Sequence, residues 1–212
     1  EHEVFYLQQR IGHKNAKFKI WKFATMVKAS PSIGTGSLTV RNDPRVLPVG
    51  KYLRITKINE LPQFVNVLLG SMSIVGPRPQ MEVDFRAYPQ HVQDVIYNVK
   101  PGITGIGSIA FRDEEDIISR SSLSPHDCYA QLIAPYKGEL ELWYQEHRSL
   151  WVDAAMVLLT PLAIVSPHSD LVWRLFTSLP PRPACLVGVP GAGPDVVPLA
   201  EAQPGAIPSG VD

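Results

Sequence analysis

The sequence predicts an α+β fold, a compact and mainly helical domain carrying one small β-hairpin. Two observations support this. Val4-Phe5-Tyr6-Leu7 and Phe18-Lys19-Ile20-Trp21 are β-prone runs flanking a turn-like, positively charged Gly12-His13-Lys14-Asn15. Beyond residue 60, apolar side chains recur at helical spacing. At 212 residues the chain is long enough for one domain with a sizeable core.

The first element is therefore a hairpin or pair of short strands. Residues 30–48 follow, rich in Ser, Thr, Gly and Pro without a period, and read as a long irregular connection carrying Arg41, Asp43 and Arg45. Next comes the firmest helix, over residues 60–69. Leu61, Phe64, Val65 and Leu68 form its apolar stripe, Asn59 its N-cap and Gly70 its stop. The two prolines of Val75-Gly76-Pro77-Arg78-Pro79-Gln80 dictate a stiff, non-helical loop. Helices are expected over 92–99, 127–147 and 150–159, with Lys100-Pro101-Gly102-Ile103-Thr104-Gly105 as a turn-rich loop among them. In the second of these, Tyr129, Leu132, Tyr136, Leu140, Trp143 and Tyr144 form a stripe suited to core packing.

The longest apolar stretch, residues 151–165, is interrupted by Asp153 and Pro161 and is shorter than the about 20 residues of a spanning helix, so it reads as interfacial or buried. Residues 1–166 form the expected domain; residues 167–212, increasingly rich in Pro, Gly and Ala, are expected to be a disordered tail. The start of the chain has no basic segment followed by an apolar one, so no signal peptide is read, and Glu1 in place of methionine reads as the start of a fragment.

Charge narrows the function classes. Lys plus Arg and Asp plus Glu number 20 each, so no global field favours nucleic acid, and any basic binding surface must be local. Cys128 and Cys185 lack metal-ligand spacing and read as free thiols in a reducing compartment, and the histidines are scattered singly, which disfavours zinc. His126-Asp127-Cys128 is given no catalytic role, because neighbours in sequence do not face one another on a helix.

The residues that suggest chemistry are Lys57-Ile58-Asn59-Glu60-Leu61-Pro62-Gln63 and the arginine loop Ser73-Ile74-Val75-Gly76-Pro77-Arg78-Pro79. A helix start attracts anions, and an arginine on a rigid turn can fork a phosphate. An ordinary cap beside a structural ion pair accounts for these residues equally well. Asp113, Glu114 and Asp116 offer oxygens for Mg²⁺ or sugar hydroxyls, against the simpler reading of a solvated helix start.

Asn59-Glu60-Leu61-Pro62-Gln63 and the Ser73–Pro79 loop, with Gln9-Arg10-Ile11-Gly12, Phe18-Lys19-Ile20-Trp21-Lys22-Phe23, Asp43-Pro44-Arg45, Val49-Gly50-Lys51-Tyr52-Leu53-Arg54 and the loop from Lys100 to Gly105, resemble in order the bacterial sugar transferase family, the monotopic polyprenol phosphate phosphoglycosyl transferases. The resemblance runs to about Val165. It implies transfer of a sugar 1-phosphate from a UDP-sugar to polyprenyl (undecaprenyl) phosphate with release of UMP and with Mg²⁺ as cofactor, initiating a surface glycan. The setting implied is the cytoplasmic face of the bacterial inner membrane, alongside glycan-assembly enzymes and without nucleic acid. The family's layout places a membrane-entering helix just before the segment resembling Val4 to Arg10; with that anchor expected to be missing, residues 150–165 are left to touch the membrane.

Where the family has an Asp-Glu pair with a nucleophilic aspartate, this chain has Asn59-Glu60. An amide caps a helix but offers no anionic oxygen. Three accounts stay open: Glu60 takes over as nucleophile or metal ligand, the form is inactive, or lipid phosphate attacks the nucleotide sugar directly. The first is favoured, because Glu60 is the only carboxylate left in the motif. The rival is a catalytically inactive membrane-surface or scaffolding module. The resemblance thus assigns Asn59 and Glu60 to catalysis and Glu60 to the metal. It assigns Arg78, then Arg45, Arg54 and Arg10, to the phosphates. Ser71, where aspartate is common, and Ala24-Thr25, where arginine and serine are common, are further departures.

Overall fold

A computed structural model of the protein describes residues 3–33, 38–40, 42–166 and 169–183. The hairpin is present: β1 (Phe5–Ile11) pairs antiparallel with β2 (Lys17–Phe23), from Phe5 opposite Phe23 to Ile11 opposite Lys17. Its turn passes through Lys14 and Asn15, both left-handed at φ 55° and 57°. It is pinned when the Lys14 N–H donates to the Tyr97 carbonyl and the Asn15 amide to that of Gln93. About half of the described chain is helical, and two small two-stranded sheets complete the α+β fold.

The connection after β2 is irregular, as read, but its end is α1 (Pro48–Ile55), which the sequence reading did not anticipate. Pro48 at its first turn suits a helix start. The helix expected over 60–69 is broken up. A 3₁₀ turn (Ile58–Glu60) follows a left-handed Lys57, and α2 (Gln63–Leu68) begins only after Pro62. Asn59 is therefore not an N-cap: it lies buried within the 3₁₀ turn, and its side chain makes no capping bond. Gly70 does stop the helix, at φ 76°.

β3 (Ser73–Val75), α3 (Glu82–Phe85), α4 (Gln90–Val95) and β4 (Gly102–Thr104) come next. β4 lies in the segment read as a loop, and it pairs parallel with β3, Ser73 opposite Gly102 and Val75 opposite Thr104. The approach continues into the following turn, where a side chain at Gly105 would collide with the carbonyl of Gly76. A three-residue parallel pair has no local turn signal, which is why pattern reading missed it.

The helical body consists of α5 (Ile106–Ala110), α6 (Glu114–Arg120), α7 (Pro125–Cys128), a π segment (Tyr129–Ile133), α8 (Ala134–His147), α9 (Leu150–Val165) and α10 (Leu171–Leu175). The expected long helix over 127–147 is thus one run with a π segment inside it, a feature that often marks functional sites. The aromatic stripe packs inward as expected: Tyr129, Tyr136, Leu140, Trp143 and Tyr144 are buried, together with Val92, Ile96, Ile106 and Met156. Helix α9 runs further than read, to Val165, with Pro161 inside it.

No helix among the described residues is long and apolar enough to cross a membrane. The packed body reaches past residue 166: Val172 and Phe176 are buried, and the Arg182 guanidinium lies 3.7 Å from the centre of the Trp173 ring. Residues 184–212 of the expected tail, with Cys185, and also Arg41, lie outside the described residues.

Candidate active site

The site begins with an amide that acts as a piece of backbone. Asn66, buried on α2, accepts from the Trp21 N–H at 3.0 Å and donates to the Lys19 carbonyl at 2.9 Å, so its side chain extends the edge of β2. Ser71 bonds the same residue through its hydroxyl, at 3.1 Å to the Asn66 carbonyl. This splice draws the 3₁₀ turn onto the hairpin and sets Glu60 beside Lys22, 3.8 Å away.

From the other side comes the Arg78 loop. Tyr97 holds it with one hydroxyl, donating to the Arg78 carbonyl at 2.8 Å and accepting from the Gln80 N–H at 2.9 Å. The loop then presents Arg78 to Glu60 as a fork, with contacts of 2.6 and 3.2 Å. Burial works against ionisation of Glu60, but Arg78, Lys22 and Lys57 outweigh it and hold the carboxylate well below its usual range. Arg78 is in turn made more basic, chiefly by Glu60 and against burial.

The excess positive charge acts on the lysines. Burial lowers Lys22 well below its ordinary value; Glu60 opposes this, and Arg10, Arg78 and Arg54 add to it. Lys57 is brought down to about 8 by burial, against Glu60 and with Arg78, Arg112 and Arg54. Even with Asp84, which lines the same cleft and acts on Arg10, the cations around Glu60 outnumber the carboxylates and leave a surplus that a polyanion would satisfy.

Of the residues assigned from sequence, Asn59, Glu60, Arg78, Arg10 and Arg54 line one cleft of about 1300 Å³. Arg10 donates to Gln8 at 2.6 Å and is made less basic by burial and by neighbouring Arg78. Arg54 reaches the cleft while paired with Glu115 at 2.6 Å. Arg45 is the exception. Its guanidinium, 4% exposed, forks Asp43 and donates to the carbonyls of Ser30, Ile33 and Leu38. That engagement makes it the organiser of the connection before α1 and leaves it outside the cleft lining.

The acidic cluster is the start of α6, as the simpler reading has it, with Glu115 exposed, but its side chains are paired. Glu114 pairs with Lys137, Glu115 with Arg54, and buried Asp116 with Arg120. Among the described residues no three His, Cys, Asp or Glu side chains gather as a metal cage. The group that could meet Mg²⁺ is Glu60 with the neighbouring Asn59 Oδ1, which is buried without a hydrogen-bond partner. These fit Mg²⁺ only as a partial shell completed by substrate phosphates, the usual manner for this ion.

The reading of motifs does not assign Lys22, Lys57 or Lys137 to the site, and it offers Glu114 only as one of three acidic residues with oxygens for Mg²⁺ or sugar hydroxyls. Lys22 falls within a matched segment and Lys57 lies two residues before one, but their approach to Glu60 depends on folding. Lys137 is 23 residues from its partner Glu114.

A rigid arginine loop and a buried carboxylate, set among surplus cations, line the large cleft of this α+β domain. The chain belongs to the bacterial sugar transferase family, whose model matches residues 1–167. A UDP-glucose:undecaprenyl-phosphate glucose-1-phosphate transferase of Escherichia coli (strain K12) is 37% identical over 160 residues, covering 74% of this chain and 32% of that protein. A UDP-N-acetylgalactosamine-undecaprenyl-phosphate N-acetylgalactosaminephosphotransferase of Aeromonas hydrophila is 33% identical over 165 residues, 77% of this chain and 36% of that protein. The exopolysaccharide production protein ExoY of Sinorhizobium fredii (strain NBRC 101917 / NGR234) is 35% identical over 137 residues, 58% of this chain and 60% of that protein. The chain thus spans about a third of the first two relatives.

Proposed function

We propose that this chain is the catalytic part of a phosphoglycosyl transferase, moving a sugar 1-phosphate from a UDP-sugar to polyprenyl phosphate with release of UMP and so starting a surface glycan. The observation that carries the reading is the ionised Glu60 forked by Arg78 within a cationic cleft. The names of the relatives, which include UDP-sugars and undecaprenyl phosphate, support the same reaction class.

The fork suggests an order of events. The incoming diphosphate competes for Arg78, because a phosphate accepts the same two donors as a carboxylate. A Glu60 oxygen is thereby released to attack the sugar-bearing phosphorus. The new bond is Glu60 oxygen to phosphorus; the bond broken joins that phosphorus to UMP, which leaves with the electron pair. An oxygen of polyprenyl phosphate then attacks the same phosphorus and restores the carboxylate. Arg78, Lys22 and Arg10 counter the charge of the transferring group. Mg²⁺, when bound, supplies further neutralisation of the phosphates, with Glu60 and Asn59 as the residues that would hold it.

The lipid reading rests on apolar residues in and around the cleft. Ile58, Leu61 and Phe64 line it, as do Ala163 and Ile164 of α9. Val49, Tyr52 and Ile55 of α1, Leu68 and Leu69 after them, and Trp151, Leu158 and Leu162 of α9 are apolar and exposed. Such an area suits an interfacial position on the cytoplasmic leaflet of the inner membrane.

The second reading, an inactive module that keeps the fold, is favoured by Asn59 in the place of the family's aspartate. One assay separates them: UMP release from a panel of UDP-sugars with undecaprenyl phosphate and Mg²⁺, on the parent, Asn59→Asp and Glu60→Gln. Turnover in the parent and its loss in Glu60→Gln is the expected result. A silent parent revived by Asn59→Asp would establish the inactive module instead.

A further inference from the structure

Beside Arg78 the character of the cleft changes. Glu114 lies close enough to strengthen the basicity of Arg78, and it pairs with Lys137 at 2.5 Å. The Lys137 side chain is only 4% exposed, and its ammonium sits 5.8 Å from the centre of the Phe111 ring and 5.7 Å from that of Tyr129. Ser108, on α5, adds a buried hydroxyl with no hydrogen-bond partner among the described residues. All five residues line the cleft that also holds Glu60 and Arg78.

A buried ion pair is weak evidence for stability, since an apolar pair of similar volume often serves as well. This pair therefore invites a functional account. The wall is neutral in sum and carries both donors and acceptors, which separates it from the cationic half of the cleft. Phosphate is disfavoured there because Glu114 repels it. A stacked base is disfavoured too: Phe111 and Tyr129 are 7% and 2% exposed and Lys137 lies over both rings, so no open aromatic face remains. An isoprenoid tail would strip water from the Glu114–Lys137 pair without replacing it and would leave the Ser108 hydroxyl without a partner. A polyhydroxylated ring meets each of these groups with a matching one.

We infer that Ser108, Glu114 and Lys137, backed by Phe111 and Tyr129, form the subsite that reads the hydroxyl pattern of the glycosyl ring. The inference rests on the proposed transferase reading, because the ring is placed by its phosphate on Arg78. Glu114 accepts from ring hydroxyls, Lys137 donates to them, and Ser108 does either. A site that pairs with specific hydroxyls discriminates strongly against an epimer that leaves those groups unpaired.

The test is calorimetric binding of UDP and of UDP-glucose, UDP-galactose and their N-acetyl forms to the parent, Glu114→Gln and Ser108→Ala, with thermal unfolding as the check on folding. The expected result is UDP affinity within about twofold of the parent and epimer preference changed by about tenfold or more. Should Glu114→Gln fail to fold, Ser108→Ala carries the same comparison, with a smaller shift expected. Equal changes for UDP and every UDP-sugar, or no change in preference, would overturn the subsite while leaving the transferase reading intact. A parent that binds neither UDP nor any UDP-sugar would overturn both.

Discussion

The Arg78 guanidinium grips both oxygens of Glu60, at 2.6 and 3.2 Å, from a loop 18 residues further along the chain. Held this way, Glu60 is fully ionised at any physiological pH, and Arg78 is positioned before a substrate arrives.

Arg78→Lys keeps the charge and loses the fork, so it should not behave as a conservative change. UMP release is expected to fall about 10²-fold or more, in line with removal of a preorganised charged donor. Retention of more than half the parent rate would show that the fork is structural. The measurement is steady-state UMP formation at saturating UDP-sugar.

Arg45 is predicted to matter for folding and not for substrate selection. Arg45→Ala strands Asp43, whose carboxylate is kept ionised chiefly by its bonds to Arg45, and strips donors from three carbonyls. Breaking a buried pair from one side costs about 3–5 kcal/mol. Urea unfolding should show that loss, while the ratio of activities on different UDP-sugars stays unchanged in whatever fraction remains folded.

Glu141, 1% exposed on α8, gives a pH signature. Burial pushes its carboxyl up to about 7, against Lys137 and the backbone N–H groups of Arg78 and Gly107. Neither carboxyl oxygen makes a hydrogen bond of normal geometry. With the folded value above the unfolded one, the folded state binds more protons between about pH 4.5 and 7. This group's contribution is therefore best below about 4.5, declines as pH rises to about 7 and stays low above that. Glu141→Gln should stabilise the protein at pH 8, by about 2–3 kcal/mol at most, and bring little change at pH 4.5. Unfolding midpoints of the two proteins across that range provide the check; a constant difference would rule out the titration.

The exposed apolar faces are expected to bind lipid. Leu68 and Leu69, 87% and 73% exposed, can be changed to glutamate within about 0.5 kcal/mol of the parent's stability. Co-flotation with vesicles of bacterial phospholipid should drop in Leu68→Glu/Leu69→Glu. Equal flotation of the two proteins would locate the lipid contact elsewhere.

Features that depend on neighbouring residues were legible before folding was considered. The β-prone runs located the hairpin, the aromatic stripe beginning at Tyr129 marked the core face of the long helical run, and two prolines made the Arg78 loop rigid. The matched motifs also brought attention to Glu60 and Arg78. The failures are equally instructive. Asn59 followed by apolar spacing looked like a capped helix, yet Pro62 and the left-handed Lys57 divide that segment into a 3₁₀ turn and a short helix. Arg45 was given to the phosphates on the strength of its motif, whereas its partners are carbonyls of its own loop and Asp43.

By itself, then, the sequence determined the family, the local elements and the identity of the charged residues, because periodicity, turn chemistry and motif order are properties of nearby positions. Tertiary structure alone decided which charges meet. Asn66 splices α2 to the edge of β2, Tyr97 holds the Arg78 loop, and only through both do Lys22, Glu60 and Arg78 converge. The physical reason is that ionisation responds to distance and burial, and both are set by contacts between segments far apart in the chain.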